Sequence, residues 1–389
     1  MEKVRMGVIG IGNMGSGHTD SLFNGKVENM ELKAVCDINP ARLEWVKEKF
    51  GEDIARFDRA EDLMDSGLVD AVIIATPHYF HPPLAIAAFQ RGLHVMCEKP
   101  AGVYTKQVKE MNAAAKASGK KFGMMFNQRT NPCFGKMRAI VQGGELGPIR
   151  RTNWMITDWY RSQAYYNSGG WRATWAGEGG GVLLNQCPHN LDLWQWIAGM
   201  PSRVRAFVHE GKWHDIEVED DVTAYVEYGN GATGVFITST ADSPGTNRFE
   251  VDMDGGSVIY EAGKVRLNKL EMYESEFTKI NTVPFKNIPC ERTEADVAGY
   301  GDDAQHNGVL RAFASEILGT GKMIAEGYEG INGLTISNAM HLSSWLDKTI
   351  NLPFDDDLYY SELQKKVAAS KAKKQVNEVV SDTAGTYNN

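Results

Sequence analysis

The stretch that decides the fold is Val4-Arg-Met-Gly-Val-Ile-Gly10-Ile-Gly12-Asn-Met-Gly15, near the start of the chain. Its first part, Val4 to Gly10, is short and apolar, which predicts a buried strand. The glycines that follow have the spacing G-x-G-x-x-G and open a segment, Gly12 to Asn24, that predicts a helix. A strand, this glycine pattern and a helix, in that order, are typical of a dinucleotide-binding turn.

Each glycine of the turn has its own task in such a site. Gly10 permits the tight turn, Gly12 lets the backbone approach a pyrophosphate, and Gly15 lets helix and strand pack closely. The N-terminus of the helix, where Asn13 and Met14 lie, supplies positive partial charge to an anion. We therefore expect these residues, apart from the packing glycine Gly15, to contact the cofactor.

An acidic residue ends the second predicted strand, Leu32 to Asp37, 22 residues after Gly15. The carboxylate of Asp37 can accept hydrogen bonds from an adenosine ribose, and it would repel a 2′-phosphate. Arg42 lies nearby and is the residue that would serve a 2′-phosphate instead. The sequence therefore predicts NAD as the cofactor, with NADP less favoured.

The first 128 residues repeat this strand-and-helix alternation, which predicts a doubly wound parallel sheet with right-handed crossovers. Ligands of such sheets bind beyond the carboxyl ends of the strands. The residues at those ends are expected to face the cofactor, although Glu98 and Lys99 alone would also suit a solvated ion pair. Further strands are predicted at Ala71–Ala75, His94–Cys97 and Phe122–Phe126, and the strand-end residues are Thr76, Pro77, His81, Glu98, Lys99 and Asn127.

The pattern changes after about residue 130. Alternating apolar segments from Arg203 to Glu261, with the hairpin turn Asn230-Gly231, predict a mainly antiparallel sheet. We expect a dinucleotide-binding domain at residues 1–128, a second α/β domain at 129–355, and a C-terminal tail at 356–389 that is a peripheral helix or a frayed end. Helices are predicted at Pro132–Val141, Gly181–Ala198, His306–Leu318 and Leu334–Leu346.

Composition excludes several classes of protein. The 389 residues carry 41 basic and 50 acidic side chains, a net charge of −9, so a basic surface for nucleic acid is not expected. Five widely spaced cysteines indicate neither a disulfide framework nor a zinc cluster. No signal peptide or membrane-spanning run is visible, which makes the cytoplasm the expected compartment and a membrane partner unexpected.

A second informative stretch runs from Gly177 to Asp192, where glycines lead into an apolar segment. On a continuous helix Asn185, His189 and Asp192 would share one face, and Pro188 would kink that helix beside His189. One interpretation is a capped core helix with a buried histidine whose hydrogen bonds are made within the protein. The other is a site in which His189 handles a proton.

Four motifs occur in order: Gly10-Ile-Gly-Asn-Met-Gly15, Ala75-Thr-Pro-His78, Glu98-Lys-Pro100 and the glycine run that leads to Asn185 and His189. Together they resemble the glucose–fructose oxidoreductase, inositol dehydrogenase and MocA family. The resemblance covers about residues 4–350. It implies a Rossmann domain, an open and mainly antiparallel C-terminal sheet that often joins subunits into homodimers or homotetramers, and NAD(P)-dependent chemistry on sugars, cyclitols and glycosides.

Carried onto this sequence, the resemblance implies that Lys99 and His189 flank the reacting carbon and share the proton work. His189 is the favoured base, and Lys99 would stabilise the oxyanion or relay the proton. Asn185 stands where the family usually has a carboxylate, so it can only orient substrate by hydrogen bonds. Asparagine here also occurs in relatives resembling sugar 3-dehydrogenases, which favours oxidation at C3 of a pyranose over inositol.

The segment before the glycine run is rich in aromatic and arginine side chains, which suit the faces and hydroxyls of a carbohydrate. We expect Tyr160, Arg161 and Trp175 to contact the substrate, and Trp171 and Arg172 the cofactor. A core or interface cluster is the alternative. The His and Asp/Glu residues between 209 and 221 match no metal-site spacing and predict an acidic, solvated strand edge instead. His306 is a weaker candidate for reaching the cleft.

The favoured function is NAD-dependent oxidation of a secondary alcohol of a sugar or glycoside. Inositol or another polyol remains an alternative substrate. A second alternative is glycoside cleavage by transient oxidation with tightly held NAD, which would yield no net NADH. The last is a non-catalytic nucleotide sensor, although its expected mark, the loss of Lys99 or His189, is absent.

Overall fold

A computed structural model describes residues 3–371 of the chain. The first sheet has six parallel strands in the order β3-β2-β1-β4-β5-β6, which confirms the predicted doubly wound fold. Five helices join these strands. The elements are β1 (Val4–Ile9), α1 (Asn13–Phe23), β2 (Met30–Cys36), α2 (Pro40–Phe50), β3 (Ala55–Phe57), α3 (Ala60–Asp65), β4 (Ala71–Ile74), α4 (His81–Gln90), β5 (His94–Cys97), α5 (Thr105–Ser118) and β6 (Phe122–Met124).

The second sheet has nine strands, and of the pairs described within this sheet only β7 and β10 are parallel. The mainly antiparallel C-terminal sheet is thereby confirmed. The elements are α6 (Pro132–Gln142), β7 (Ile149–Ile156), α7 (Gln163–Tyr166), α8 (Pro188–Ala198), β8 (Arg203–Glu210), β9 (Glu219–Glu227), β10 (Thr233–Ser239), β11 (Asn247–Met253), β12 (Gly256–Glu261), β13 (Lys264–Leu270), α9 (Glu274–Ile280), β14 (Cys290–Glu294), α10 (Gln305–Ile317), α11 (Gly330–Trp345), β15 (Ile350–Asn351) and α12 (Asp356–Ala369).

The strand order of the second sheet is β14-β13-β12-β11-β7-β10-β9-β8-β15. Strand β7, which the sequence analysis did not predict, lies in its middle. Thr152, Trp154 and Ile156 point to the buried face while Arg151 and Met155 are exposed, so the alternation is present but interrupted by polar residues. Helix α11 packs on the buried face against β8, and α8 packs beside α11, where its Trp194 donates to Thr152 of β7 and stacks on Phe236 of β10.

The predicted helix Gly181–Ala198 is wrong in its first half. Helix α8 begins only at Pro188, which occupies the first helical position, where a missing N–H costs nothing, and so does not kink it. Residues 181–187 form turns held to β9, because the N–H of Val182 donates to the carbonyl oxygen of Glu219 and the N–H of Leu183 to its Oε1. Asn185 therefore lies on a turn, not on α8.

Two late helices return to earlier parts of the chain. Helix α10, which the sequence assigned to the second domain, packs Val309, Leu310 and Phe313 into the core of the first sheet. Helix α12 buries Tyr359 and Leu363 and contacts α5 and α11, so the predicted tail begins as a packed helix. Residues 372–389 of that tail lie outside the described residues. The division at residue 128 remains a prediction.

A buried ion pair joins the end of the first sheet to α8. Arg129 lies in a short turn just after β6, and its guanidinium bonds both oxygens of Asp192, at 2.8 Å and 2.6 Å. Both side chains are 1% exposed, and Glu329 binds the same guanidinium. Because Asp192 is three residues from His189, this pair sets where that histidine lies.

We expect Arg129→Ala to lower the free energy of unfolding by ~3–5 kcal/mol, because it leaves the carboxylate of Asp192 buried and unpaired. Chemical denaturation followed by fluorescence measures the change. The control is Arg203→Ala, which breaks a half-exposed pair with Glu227 and should cost less than ~1 kcal/mol. Equal losses in the two variants would contradict the role of the buried pair.

Candidate active site

The glycine turn after β1 has the geometry that a phosphate site needs. Gly10 has a φ of +91°, and a Cβ on Gly15 would lie 1.7 Å from the carbonyl oxygen of Gly10, so both positions exclude a side chain. A Cβ on Gly12 would meet no atom within 4 Å, so the turn is open there, at the N-terminus of α1. Asn13 and Met14 begin that helix. The open helix end suits an anion such as a pyrophosphate.

Asp37 lies directly after β2 and faces the same turn. Its Oδ2 accepts the N–H of Ile11 at 2.6 Å, and its Oδ1 accepts the N–H of Asn39 at 2.8 Å. A carboxylate has about four acceptor sites, so two remain for ribose hydroxyls. Arg42 lies in the first turn of α2, close in sequence to this carboxylate. Asp37 therefore shapes the turn as well as offering a ribose contact.

Two orphaned polar atoms mark the carboxyl edge of the first sheet. Thr76 Oγ1 and Asn127 Oδ1 are buried, and within residues 3–371 neither has a hydrogen-bond partner. The amide nitrogen of Asn127 is already used, since it donates to Gln305 at 2.7 Å. Buried polar atoms without partners are costly, and a bound ligand would satisfy them. With the open glycine turn and Asp37, these atoms fit a bound NAD.

Two of the predicted cofactor residues instead hold the protein together at this edge. The ring nitrogens of His81 lie 2.7 Å from the carbonyl oxygens of Thr76 and Pro100, so the ring ties two strand-end loops, the first of which includes Pro77. Glu98 is buried, with Oε1 2.7 Å from His18 Nε2 and Oε2 accepting the N–H of Lys99. Burial opposes its charge, but the bond to His18 prevails and lowers the pKa of Glu98 to about 2.

Lys99 and His189 come from different elements and lie close enough for the charge of Lys99 to act on His189. Lys99, after β5, donates from Nζ to the backbone carbonyl of Asn185 at 3.0 Å. Burial lowers the pKa of Lys99, and burial together with the charge of Lys99 lowers the pKa of His189 well below its usual range. Lowered values favour the neutral forms of both groups, and a neutral amine or imidazole can accept a proton.

The loop between β7 and the glycine run brings several predicted residues together. Arg172 donates to the hydroxyl of Tyr165 at 2.6 Å and lies over the rings of Tyr165 and Trp171. Arg161 lies over the ring of Tyr165 from another direction, 5.2 Å from its centre. Tyr160 is half exposed beside it. These side chains form a polar and aromatic wall of the kind that suits a carbohydrate.

Trp175 does not belong to that wall. Its ring is 3% exposed and packs 5.4 Å from both His341 and Trp345, while its N–H donates to the carbonyl oxygen of Glu217. The structure places it in the core, where its indole N–H is already satisfied. The alternative interpretation of the aromatic segment, a core cluster, therefore holds for this residue.

Three functional candidates were missed or underrated. Glu178 is a buried carboxyl that contacts Asn185, and burial raises its pKa. His18 pairs with Glu98, and His306 packs edge-on against His18, with rings 5.7 Å apart. Burial lowers the pKa of His306 to about 4. The only sequence signal for Glu178 is that it is the one acidic residue in a glycine-rich stretch.

The acidic segment at residues 209–221 is less solvated than predicted. Glu219 and Asp220 are fully buried, and Asp220 accepts the N–H groups of Lys212, Trp213 and His214. These carboxylates are buried because they hold the backbone of neighbouring loops. Across residues 3–371, no group of three His, Cys, Asp or Glu side chains is arranged to hold a metal ion. The same residues include no helix long and apolar enough to cross a membrane.

The open glycine turn and the lysine–histidine pair define a dinucleotide-dependent oxidoreductase. Family models agree: "Oxidoreductase family, NAD-binding Rossmann fold" matches residues 4–126, and "GFO/IDH/MocA C-terminal domain" matches residues 134–259. Together the two matches take in more than half of the chain. The chain belongs to the Gfo/Idh/MocA family of oxidoreductases, as its motifs predicted.

Named relatives act on sugars. Levoglucosan dehydrogenase from Pseudarthrobacter phenanthrenivorans is 26% identical over 67% of this chain and 74% of its own length. D-glucoside 3-dehydrogenase from Escherichia coli is 25% identical over 84% of this chain and 91% of its own. Among solved structures, the WlbA dehydrogenase from Chromobacterium violaceum, in complex with NADH and UDP-GlcNAcA, has a TM-score of 0.78. It is 27% identical, over 91% of this chain and 97% of its own.

We expect Asp37→Ala to raise the KM for NAD, because it removes the acceptor for the ribose hydroxyls. The preference for NAD over NADP should also decrease, because the charge that repels a 2′-phosphate is lost. Steady-state kinetics with each cofactor measure this. The control is Asp58→Ala, which removes an exposed carboxylate that also lies near the end of β2. Unchanged KM values for both cofactors in Asp37→Ala would refute the ribose contact.

Proposed function

We propose that this enzyme oxidises a secondary alcohol, at C3, of a sugar or glycoside with NAD. The observation that carries the proposal is that Lys99 bonds the backbone of Asn185 and lies close enough to His189 for its charge to act there, and that both groups have lowered pKa values. The relatives named for glucoside and levoglucosan oxidation support this substrate class. An asparagine, rather than a carboxylate, beside the pair favours the sugar over inositol.

The chain's own residues would manage the proton of the substrate hydroxyl. His189 is neutral in its buried position and removes that proton, while Lys99 lies close to the developing oxyanion and stabilises it or takes the proton on. Bound NAD supplies the hydride acceptor. Pairing a positioned base with a nearby donor typically contributes ~10²–10⁴-fold to the rate.

The wall formed by Arg161, Arg172, Trp171 and Tyr160 would face the rest of the sugar. Its aromatic rings present flat apolar surface, and its guanidinium groups donate hydrogen bonds to hydroxyls. The ring of Trp171 lies 5.8 Å from that of His78, which follows β4, and Arg172 lies 3.7 Å from Glu178. We propose that Trp171 and Arg172 also contact the cofactor. We propose that these residues orient the ring so that one hydroxyl points at Lys99.

The test is NADH formation, followed at 340 nm, with a panel of sugars, glycosides and cyclitols. We expect a signal with pyranosides, and we expect Lys99→Ala and His189→Ala each to lower kcat ~100-fold or more with NAD binding retained. Lys264→Ala, at an exposed lysine on β13, is the control and should match wild type. Near-normal turnover in either site variant would contradict its role, and no NADH with any substrate would contradict the proposed reaction.

We also propose that the exposed face of the second sheet joins two or four copies of the chain. Across β8, β9, β10 and β7 this face carries a row of Phe207, Thr223, Ile237 and Met155, in register with one another. Phe207 and Met155 are about half exposed, as is Tyr225 in the next row. An apolar sheet face of this kind on a large sheet favours an interface between copies.

Light scattering after gel filtration tests the interface. Phe207→Asp should shift wild-type dimers or tetramers toward smaller species, because it places a charge in the apolar row. The matched control is Phe285→Asp, on a loop away from the sheet face, where the ring is 95% exposed. A monomeric wild type, or a Phe207→Asp variant of unchanged mass, would contradict this interface.

A further inference from the structure

Glu178 is a buried carboxyl next to the proposed catalytic pair, with no part in the reaction as described so far. Its side chain is almost fully buried, and one oxygen accepts a hydrogen bond from the amide nitrogen of Asn185. The other oxygen accepts the N–H of Ala173 at 2.5 Å. The guanidinium of Arg172 lies 3.7 Å away. Both oxygens accept hydrogen bonds, which favours the ionised carboxylate, against the effect of burial.

This contact decides which way the amide of Asn185 points. An ionised carboxylate can only accept hydrogen bonds, so the atom of Asn185 that faces Glu178 must be the nitrogen, Nδ2. The oxygen, Oδ1, then points away from Glu178. Without such a partner the two ends of an asparagine amide have nearly the same shape, and either could be presented to a ligand.

Asn185 is also the residue that Lys99 contacts, through its backbone carbonyl at 3.0 Å. Asn185 is thus joined through its side-chain amide to the buried acid and through its backbone carbonyl to the proposed proton carrier. We propose that Glu178 is a positioning residue that holds Asn185 with Oδ1 toward a substrate hydroxyl beside Lys99. This inference rests on the proposed function, since it assigns Asn185 Oδ1 as an acceptor for the sugar.

The charge of Glu178 gives the inference a second readout. Burial lowers the pKa of Lys99, whereas Glu98 and Glu178 raise it and Arg172 and Arg161 lower it. Glu178 is itself influenced by Arg172 and by Glu219. The other titratable groups that interact with these two through charge are His78, His81, His189, His306, Tyr165 and Tyr166. None of these groups is itself replaced when Glu178 alone is changed.

Glu178→Gln is the first variant. Glutamine presents one oxygen to two donors, so one bond is lost and the amide of Asn185 is no longer held in one orientation. We expect the KM for the sugar to rise about tenfold or more, with a smaller change in kcat and an unchanged KM for NAD. In this inference Lys99 is the group that takes the proton on, so oxidation needs neutral Lys99 and declines as pH falls. Removing the negative charge lowers the pKa of Lys99, so the acidic limb of kcat/KM should move to lower pH.

The swapped pair is the sharper test. Asn185→Asp alone places two carboxyls in contact and adds negative charge beside Lys99. We therefore expect kcat/KM to fall, and the acidic limb of its pH profile to move to higher pH. In the double variant Glu178→Gln/Asn185→Asp, the new amide donates to the new carboxylate and its oxygen still accepts the N–H of Ala173. We expect kcat/KM to recover to within about threefold of wild type, a strong departure from additivity.

Glu217→Gln is the matched control, because Glu217 also accepts a backbone N–H from this loop, at Trp175, without touching Asn185. It should keep the wild-type KM and pH profile. Thermal melting and NAD binding show that each variant is folded. If Glu178→Gln does not fold, Asn185→Asp carries the test through its pH profile.

An unchanged KM and an unchanged acidic limb in Glu178→Gln would overturn the inference, as would additive losses in the double variant or a wild-type pH profile in Asn185→Asp. A wild-type enzyme that forms no NADH with any sugar would overturn the proposed function, and the inference with it. If the wild type forms NADH and Glu178→Gln keeps the wild-type KM and the wild-type acidic limb, only this inference is overturned.

Discussion

The site depends on the buried ion pair between Arg129 and Asp192. Arg129 follows the last strand of the first sheet, and Asp192 lies on α8, one turn after His189. Loss of either partner would leave the other charge buried and unpaired, at a cost of ~3–5 kcal/mol, so the pair holds the helix against this edge of the sheet. That placement brings His189 to the edge where Lys99 ends β5. Glu219 holds the turn that carries Asn185 by a hydrogen bond, because its Oε1 accepts the N–H of Leu183.

Much of the fold could be predicted because its requirements are local. A glycine with positive φ at residue 10, a close backbone approach at Gly15 and an acidic residue at the end of β2 are all visible in the sequence. Strand β4, inside the first sheet, is a continuous apolar run because both of its faces are buried. Lys99 and His189 were predicted from motif order, and the structure brings their elements to one cleft, although their roles remain proposals.

What could not be predicted depends on contacts between distant residues. The helix that the apolar residues before Pro188 suggest does not form, because β9 offers that segment its own hydrogen-bond acceptors. Trp175 looked like a sugar platform, but His341 and Trp345, far along the chain, enclose it. Glu178 gave almost no signal, since its importance lies in the amide it meets seven residues later. Side-chain pairings of this kind follow from the folded loops, not from spacing.

The most direct measurement of the central claim is the fate of the hydrogen on the substrate carbon. A glucoside deuterated at C3 is incubated with NAD and the enzyme, and the nicotinamide is recovered and analysed by mass spectrometry and NMR. The account predicts that deuterium appears at C4 of the nicotinamide and accumulates there as reduced cofactor, one for each sugar oxidised. Deuterium lost to water without reduced cofactor, or glycoside cleavage with no accumulation of labelled NADH, would contradict it.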